Sequence, residues 1–293
     1  MTDNEEKELQ ALISLLEDPN DEVYVIVEKN LFNRGIEVVP KLEAFWESTE
    51  GTVLQQRIEN LIQNIQFNHI KKKLKSWSKS PNNDLLEGAY WVAKYQYPEL
   101  DYESLEAQIN LIVKDIKNEI NTEITPLEKI KTINHIFFED HKYTRNTANY
   151  HSPQNSFINQ LIETKKGNSV SLGILYSIVA RRLGIPIQGV NLPINFILAY
   201  MDERSLIEQS AQMYKDEVIF YINPFNRGAV LGKKEIDQFI IQQKLNFEAS
   251  YYLACDNNVI IKRLLTGLKF SYEKLAYPDK VTAMSDLLAI FNP

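Results

Sequence analysis

The chain has 293 residues, of which 44% are hydrophobic and 24% are charged, a composition ordinary for a globular protein. Its formal net charge is −7, and an acidic surface of this kind opposes general binding to nucleic-acid phosphates. No apolar run approaches the roughly 18 residues of a membrane-spanning helix, and the acidic start of the chain lacks the pattern of a signal peptide, so we expect no membrane partner.

Residues 5–120 carry helical periodicity throughout. Apolar residues at helical spacing form three successive stripes, which are Leu9 to Leu16, Val23 to Phe32 and Val38 to Trp46. Asp18-Pro19-Asn20-Asp21 breaks the first stripe, Asp21 is placed to cap the second helix, and Gly35 is placed to end it. A helix, an Asp-Pro turn and a second helix resemble a HEAT-type repeat, which needs neighbours to bury its apolar face. We therefore predict a helical-repeat region over residues 1–122.

Two further segments of this region have helical spacing. The basic run His69–Lys75 (HIKKKLK) is interpreted as a solvated helix face and not as a nucleic-acid site, because the net charge of the chain opposes that role. The amphipathic segment Asp84–Tyr95 contains Trp and Tyr residues at a spacing that is typical of core positions.

The character of the sequence changes over residues 123–245. Pro126 opens a helix that runs to Glu139, and a polar loop follows it. The next helix, within KKGNSVSLGILYSIVARRLGIP, is apolar on nearly every side and stops at Gly184, so it is expected to be buried. Three short β-rich segments come after it, at Ile187–Val190, Phe196–Met201 and Val218–Ile222. A buried helix on a small antiparallel sheet predicts an α+β core in a predominantly helical chain.

Residues 246–293 return to helical spacing, with a break at Tyr277-Pro278, and predict a C-terminal helical hairpin. The single cysteine of the chain, Cys255, lies here and is interpreted as a buried hydrophobe and not as a nucleophile. A single cysteine excludes an intrachain disulfide, which favours a cytoplasmic location. One cysteine and four scattered histidines give no paired-ligand spacing for zinc, so we expect neither a metal nor a cofactor.

Several short blocks of the chain together carry a family resemblance. The blocks are Asn134-His-Ile-Phe-Phe, Tyr150-His-Ser-Pro-Gln-Asn-Ser, Gly167-Asn-Ser-Val-Ser-Leu, Leu175-Tyr, Arg181-Arg-Leu-Gly-Ile-Pro, Gly189-Val-Asn-Leu-Pro and Asn223-Pro-Phe-Asn. They resemble the SirB-type branch of the transglutaminase-like superfamily, and the segments on both sides of them resemble that branch too. The resemblance implies a papain/transglutaminase-like core and a tetratricopeptide-like C-terminus.

The resemblance also implies where a catalytic triad would lie. Transglutaminase-like enzymes place a Cys at the start of the buried helix, a His on the following strand and an Asp on the next. In that arrangement the helix N-terminus stabilises a thiolate, the imidazole takes the proton and the carboxylate orients the ring. The corresponding positions are Ser169, in place of Cys; Asn195, where the family has Pro-Gly-His-Phe; and Asn223, where it has Asp-Pro-Phe-Asn.

All three positions have lost the chemistry that the triad requires. A serine hydroxyl without a base is a weak nucleophile, and a neutral amide takes no proton at pH 7. We expect Ser169 to cap the helix and to join Asn195 and Asn223 in a neutral hydrogen-bonded cluster.

The sequence therefore predicts a non-catalytic protein that acts as an interaction or regulatory scaffold, with another protein as its partner or a peptide held in the vestigial cleft. The alternative is a hydrolase or acyltransferase that uses Ser169 with a histidine from elsewhere in the core, which would be His135, His141 or His151.

Overall fold

Helices dominate the computed structural model, which describes residues 3–18, 20–49, 51–120, 124–202 and 218–291. The chain divides into two compact units, Met1–Lys75 and Ser76–Pro293. The boundary between them falls within helix α4 (Thr52–Lys79). The boundary that the sequence predicts at 122/123 lies outside the described residues and stays a prediction.

The first unit is built from α1 (Asp3–Ser14), α2 (Asp21–Arg34), α3 (Val39–Ser48) and the first part of α4. Its core is an apolar cluster formed by Leu9, Ile13, Leu16, Val27, Leu31, Val38, Val39, Leu42, Ile58, Leu61 and Ile65. This cluster confirms the helical N-terminal region. As predicted, Gly35 ends α2, with its φ at 75°.

Two details of the first unit differ from the prediction. The N-cap of α2 is Asn20, whose side-chain oxygen accepts the Glu22 amide at 2.9 Å, so Asp21 is the first helical residue and not the cap. Val25 and Ile26, which the sequence places in the apolar stripe, are 57% and 61% exposed, while Val27 is buried in their stead. Pro19 of the predicted turn lies outside the described residues.

The helices of the second unit enclose one central helix. The helices of this unit are, in chain order, α5 (Leu85–Lys94), α6 (Tyr102–Glu119), α7 (Pro126–Asn134), α8 (Ile158–Thr164), α9 (Ser169–Arg182), α10 (Lys233–Gln242), α11 (Asn257–Lys274) and α12 (Pro278–Leu288). Helix α7 continues as a π-helical segment over His135–Asp140, and α9 is the central helix. The packing of α11 against α12, the helix that follows it in the chain, confirms the C-terminal helical hairpin. The residues of α9 from Ser169 to Ala180 are all buried, which confirms that this helix is central.

Within the described ranges, six short strands form two sheets. Strands β1 (Thr144–Arg145) and β2 (Lys166–Gly167) make a parallel pair. Strands β3 (Ile187–Val190), β4 (Ile197–Met201), β5 (Val218–Asn223) and β6 (Ala229–Leu231) form an antiparallel sheet in the order β3-β4-β5-β6. One buried helix on this sheet confirms the α+β core.

Close packing between α9 and the sheet depends on two glycines. A Cβ atom at Gly173 of α9 would lie 2.6 Å from the Phe196 ring, and one at Gly189 of β3 would lie 2.8 Å from the same ring. The ring of Phe196 is fully buried between them. Glycine is therefore required at both places by the closeness of the approach.

The C-terminal end of α9 is closed by a Schellman motif. Gly184 has φ of 70°, and the amide of Ile185 donates to the Ala180 carbonyl at 2.9 Å. This geometry confirms the predicted stop at Gly184, and it turns the chain directly into β3.

Candidate functional site

The N-terminus of α9, where the family places its nucleophile, is capped by Asn168. Its side-chain oxygen accepts the amides of Val170 at 3.0 Å and Ser171 at 2.9 Å, and the Ser171 hydroxyl accepts the Asn168 amide at 3.1 Å. These bonds form a capping box. The prediction that Ser169 caps the helix is therefore wrong, because the residue before it has the extended backbone and the side-chain oxygen that a cap needs.

The preceding loop holds this cap in place. The Asn168 amide group donates to the Ser156 hydroxyl at 2.8 Å, and the Ser171 hydroxyl donates to the Asn155 carbonyl at 2.5 Å. Asn155 is itself buried and donates through its side chain to the carbonyls of Asn149 and Tyr150. The block from Tyr150 to Ser156 thus has a structural role in fixing where α9 begins.

Ser169 is the first residue of α9 and is 8% exposed. Its hydroxyl makes no hydrogen bond with any described residue. The backbone amides of the helix N-terminus would favour a negative charge at this point, but no described group is bonded to the hydroxyl to remove its proton. Ser169 therefore lacks the bonded base that a serine nucleophile needs.

The structure brings Asn195 and Asn223 together. Both line a pocket of about 240 Å³ beside α10, whose lining residues do not include Ser169. Asn223 ends β5, and its side-chain oxygen accepts the Asn226 amide at 3.2 Å. Asn195 lies in a bend before β4, after Ile194 with φ of 68°, and not on a strand. The expected hydrogen-bonded cluster of the three residues is absent from the described residues, because Asn223 caps its own turn instead.

The three core histidines have other surroundings. His141 bonds Asp115 at 3.0 Å, and His135 lies 3.9 Å from Asp140. The ring of His151 packs edge-on against Tyr150 and Phe270. None of them forms a hydrogen bond with Ser169 in the described part of the chain, so no specific contact supports a displaced base.

Asn134, in the first of the family-like blocks, joins distant parts of the core. Its amide group donates to the Gly228 carbonyl at 2.8 Å, and its oxygen accepts the Tyr176 hydroxyl at 2.9 Å. Burial raises the pKa of Tyr176 far above its usual range, so this phenol stays protonated and donates. The residue is a structural link that sequence patterns alone do not distinguish from a functional one.

Cys255 is unsuited to nucleophilic chemistry. Burial raises the pKa of its thiol to about 12, so almost no thiolate is present at neutral pH. Among the described residues, no group of His, Cys, Asp and Glu gathers into a candidate metal site. No helix in the described ranges is both long and apolar enough to cross a membrane.

A second, larger cleft lies at the other end of α9. It has a volume of about 590 Å³ and is lined by residues of α9, β3, the start of α11 and the loop before α5. The sequence does not reveal this cleft, since its walls come from four separated segments. The only signal in the sequence is the Arg181-Arg182 pair at the end of α9.

Comparison with family models identifies the superfamily of this core. A model of the transglutaminase-like superfamily matches residues 103–266, which is more than half of the chain. The chain belongs to the transglutaminase-like superfamily. No solved structure gives a significant match to this transglutaminase-like protein.

Three relatives indicate how widely this transglutaminase-like core occurs. A UPF0162 protein of Xylella fastidiosa is 31% identical over 153 residues, which are 52% of this chain and 50% of the relative. The UPF0162 protein YchA of Escherichia coli is 28% identical, with 67% of this chain and 68% of the relative covered. F-box only protein 21 of Mus musculus is 24% identical, with 72% of this chain and 39% of the relative covered. The chain spans about half the length of the Xylella relative that it matches.

Proposed function

We propose that this transglutaminase-like protein belongs to the SirB-type branch, catalyses no reaction, and acts in the cytoplasm as a scaffold that binds another protein. The proposal that the protein catalyses no reaction rests on the surroundings of the Ser169 hydroxyl. Its hydroxyl has no bonded base among the described residues, and the two residues at the base and orienter positions, Asn195 and Asn223, are neutral amides. Loss of all three members of a triad leaves only binding and oxyanion-type stabilisation.

A thiol placed at Ser169 tests this half. In a Cys255→Ser background, Ser169→Cys is the only thiol of the chain, so alkylation by iodoacetamide reports on that position alone. The pH midpoint of alkylation should lie at or modestly below the free value of about 8.5, because only the helix N-terminus stabilises the thiolate.

The matched control is Ser80→Cys in the same background, which places a thiol at an exposed position outside any helix. A Ser169→Cys protein that is already thiolate at neutral pH would reveal a cationic base nearby and overturn the proposal. Wild-type protein should also remain unlabelled by a fluorophosphonate probe, and labelling that Ser169→Ala abolishes would equally contradict it.

The scaffold half is supported by exposed apolar surface on the first unit. Val25 and Ile26 are adjacent on α2 and more than half exposed, although aliphatic side chains of this size are usually buried. The matched region also makes up only 39% of F-box only protein 21, so in that relative it is one part of a longer protein. A region that serves as one module of a longer chain is well suited to holding a partner.

Quantitative affinity capture from the native host tests the scaffold half. Wild-type protein and the control Lys29→Ala, an exposed change on the same helix, should retain the same partner in stoichiometric amount. The double variant Val25→Glu with Ile26→Glu should lose it, because two charges cannot be buried without pairing. Equal capture by all three proteins would exclude this surface, and capture of nothing by the wild type would contradict a scaffold role.

The other two hypotheses from the sequence gain no specific support. A hydrolase needs a base at Ser169, and no described residue is bonded to its hydroxyl. A peptide in the vestigial site would have to enter a pocket of about 240 Å³, which is smaller than the range of about 300–1,000 Å³ common for ligand sites.

A further inference from the structure

The larger cleft, at the C-terminal end of α9, lies about 18 Å along that helix from Ser169, given the rise per residue of an α-helix. We call it the α9–α11 cleft. Its walls are the last turns of α9, the edge strand β3, the residues that open α11 and the loop before α5. Its volume of about 590 Å³ is in the middle of the range of small-molecule sites. All of its lining residues belong to the unit Ser76–Pro293.

An unsatisfied hydroxyl lies in the wall of this cleft. Ser177 is 6% exposed, and its Oγ is buried without a hydrogen-bond partner among the residues that the structure describes. A buried hydroxyl normally finds a partner, since leaving it unpaired is unfavourable. A bound molecule with a hydrogen-bonding group would supply that partner.

A guanidinium group stands one helical turn farther along the same face of α9. Arg181 lines the cleft, is exposed, and forms no ion pair with a described residue. The neighbouring Arg182 is instead engaged by Glu106 at 2.7 Å. Residues four apart on a helix lie about 6 Å apart along its axis, so Ser177 and Arg181 can contact two ends of one small molecule. Arg181 is suited to a carboxylate, which it can bind through two parallel hydrogen bonds.

Two carboxylates line the same cleft. Asp84 caps α5 by accepting the Glu87 amide at 3.1 Å, and Asp256 caps α11 by accepting the Val259 amide at 2.8 Å. In each case Oδ1 forms the cap, and the Oδ2 atom has no hydrogen bond with any described residue. The cleft therefore offers negative groups as well as the positive Arg181, which disfavours a simple anion or a simple cation.

The edge of β3 adds a backbone acceptor. The Pro186 carbonyl accepts the Met201 amide on the side of β4, while the Gly189 carbonyl accepts the Cys255 amide on the opposite side, both at 2.8 Å. Since carbonyls alternate along a strand, that of Ile187 points to the same side as that of Gly189, away from β4. Ile187 lines the cleft, so its carbonyl is available to a donor such as a peptide N–H.

We propose that the α9–α11 cleft binds a small zwitterion of about dipeptide size. The carboxylate of the ligand pairs with Arg181, its ammonium group lies near the free oxygens of Asp84 and Asp256, and its amide bonds with Ser177 and the β3 edge. A dipeptide extends to roughly 7 Å, which is close to the roughly 6 Å that separates residues 177 and 181 along the axis of α9. The site is separate from the triad positions and does not depend on whether they are catalytic.

Calorimetric titration with the dipeptide alanyl-alanine and two blocked forms tests this assignment. The zwitterion should bind to the wild-type protein, and both N-acetyl-alanyl-alanine and alanyl-alanine amide should bind about tenfold more weakly, because each lacks one charged group. Arg181→Gln should weaken the zwitterion about tenfold but leave the amide form unchanged. Ser177→Ala should weaken the zwitterion without lowering the melting temperature, because it removes a buried hydroxyl that is unpaired in the unliganded protein.

The matched control is Lys234→Gln, which removes one exposed positive charge from α10, outside the cleft. It should leave every affinity at the wild-type value. The assignment is overturned if the zwitterion fails to bind at concentrations up to about 10 mM. It is also overturned if the blocked forms bind as well as the zwitterion, or if Arg181→Gln and Lys234→Gln behave alike.

Discussion

At the scale of single residues, the side chain of Asn168 is hydrogen-bonded to the start of α9, and the side chain of Ser169 is not. Asn168 accepts two backbone amides and donates to buried Ser156, so every polar atom of its side chain is used. Ser169, one position later, has a hydroxyl with no partner among the described residues. The residue that caps the helix is thus the neighbour of the one that the family resemblance predicts at the nucleophile position.

Alanine substitutions at these two positions should separate their roles. Asn168→Ala should lower the free energy of unfolding by about 2 kcal/mol, because it removes the cap and leaves a buried serine unpaired. Ser169→Ala should change it by less than about 0.5 kcal/mol, since no hydrogen bond is lost. Urea denaturation of both variants measures the difference, and a larger loss at Ser169 would show that Asn168 is not the effective cap.

At the scale of elements, α9 approaches the sheet through the ring of Phe196, which lies between Gly173 and Gly189. In the middle of a helix, glycine normally costs stability relative to alanine. Here the approach of the ring reverses that preference, because a methyl group at Gly173 would have to displace a fully buried side chain. Another helical glycine, Gly267 of α11, has nothing within 4 Å of the place where its Cβ would lie.

Two alanine substitutions of helical glycines should therefore have opposite signs. Gly173→Ala should destabilise the protein by about 1–3 kcal/mol, as overpacking of a core does. Gly267→Ala should stabilise it by about 0.5–1 kcal/mol through helix propensity alone. Thermal and chemical denaturation of the two variants compares them directly, and a stabilising Gly173→Ala would mean that Phe196 moves at little cost.

The predictability of these elements follows from how local their causes are. Helix α9 is predictable because apolar residues occur on all of its sides and Gly184 follows directly as a stop. Strand β3 is predictable because its β-branched residues are close together in the sequence. Strands β1 and β2 were missed, since each has only two residues and exists through its pairing with the other. Strand β6 was also not predicted, because it follows a turn whose direction depends on Gly228 and Asn134. Helix α10 was not predicted either, although its buried Ile236 and Ile240 stand at helical spacing.

The candidate site was predictable only as positions along the chain. Which residue caps α9 depends on backbone angles, so Asn168 and Ser169 could not be told apart from their types, both of which are good caps. The left-handed backbone at Ile194 places Asn195 ahead of β4, and nothing in an isoleucine predicts that conformation. The α9–α11 cleft needs four separated segments to meet, which is a property of the packed molecule.

At the scale of the whole molecule, the first unit has an apolar core of its own. The buried cluster of that unit draws only on residues from Leu9 to Ile65. In the second unit, Leu268 of α11 is fully buried within that unit's helices. Each unit therefore has core positions whose loss can be tested separately.

Core truncations should loosen one unit at a time. Leu42→Ala should lower the free energy of unfolding of the first unit by about 2–5 kcal/mol, because it leaves a cavity there. It should also raise the rate of amide hydrogen exchange within residues 3–65. Leu268→Ala should do the same within residues 84–291. Hydrogen exchange followed by mass spectrometry resolves the two regions, and a simultaneous rise in both regions for either variant would show that the two cores unfold as one.

The long hydrogen bonds of the second unit determine when it can be completed during synthesis. Asn134 reaches Gly228 across 94 positions of the chain, and Asn257 donates to the Asn83 carbonyl across 174. A ribosome must therefore deliver nearly all of the chain before these bonds can close, and contacts of such high sequence separation make folding slow. The core of the first unit needs only the first 65 residues and is ready much earlier. During synthesis the first unit can therefore fold while the second still lacks its last helices, so the second unit is the one that passes through an incomplete state with exposed apolar surface.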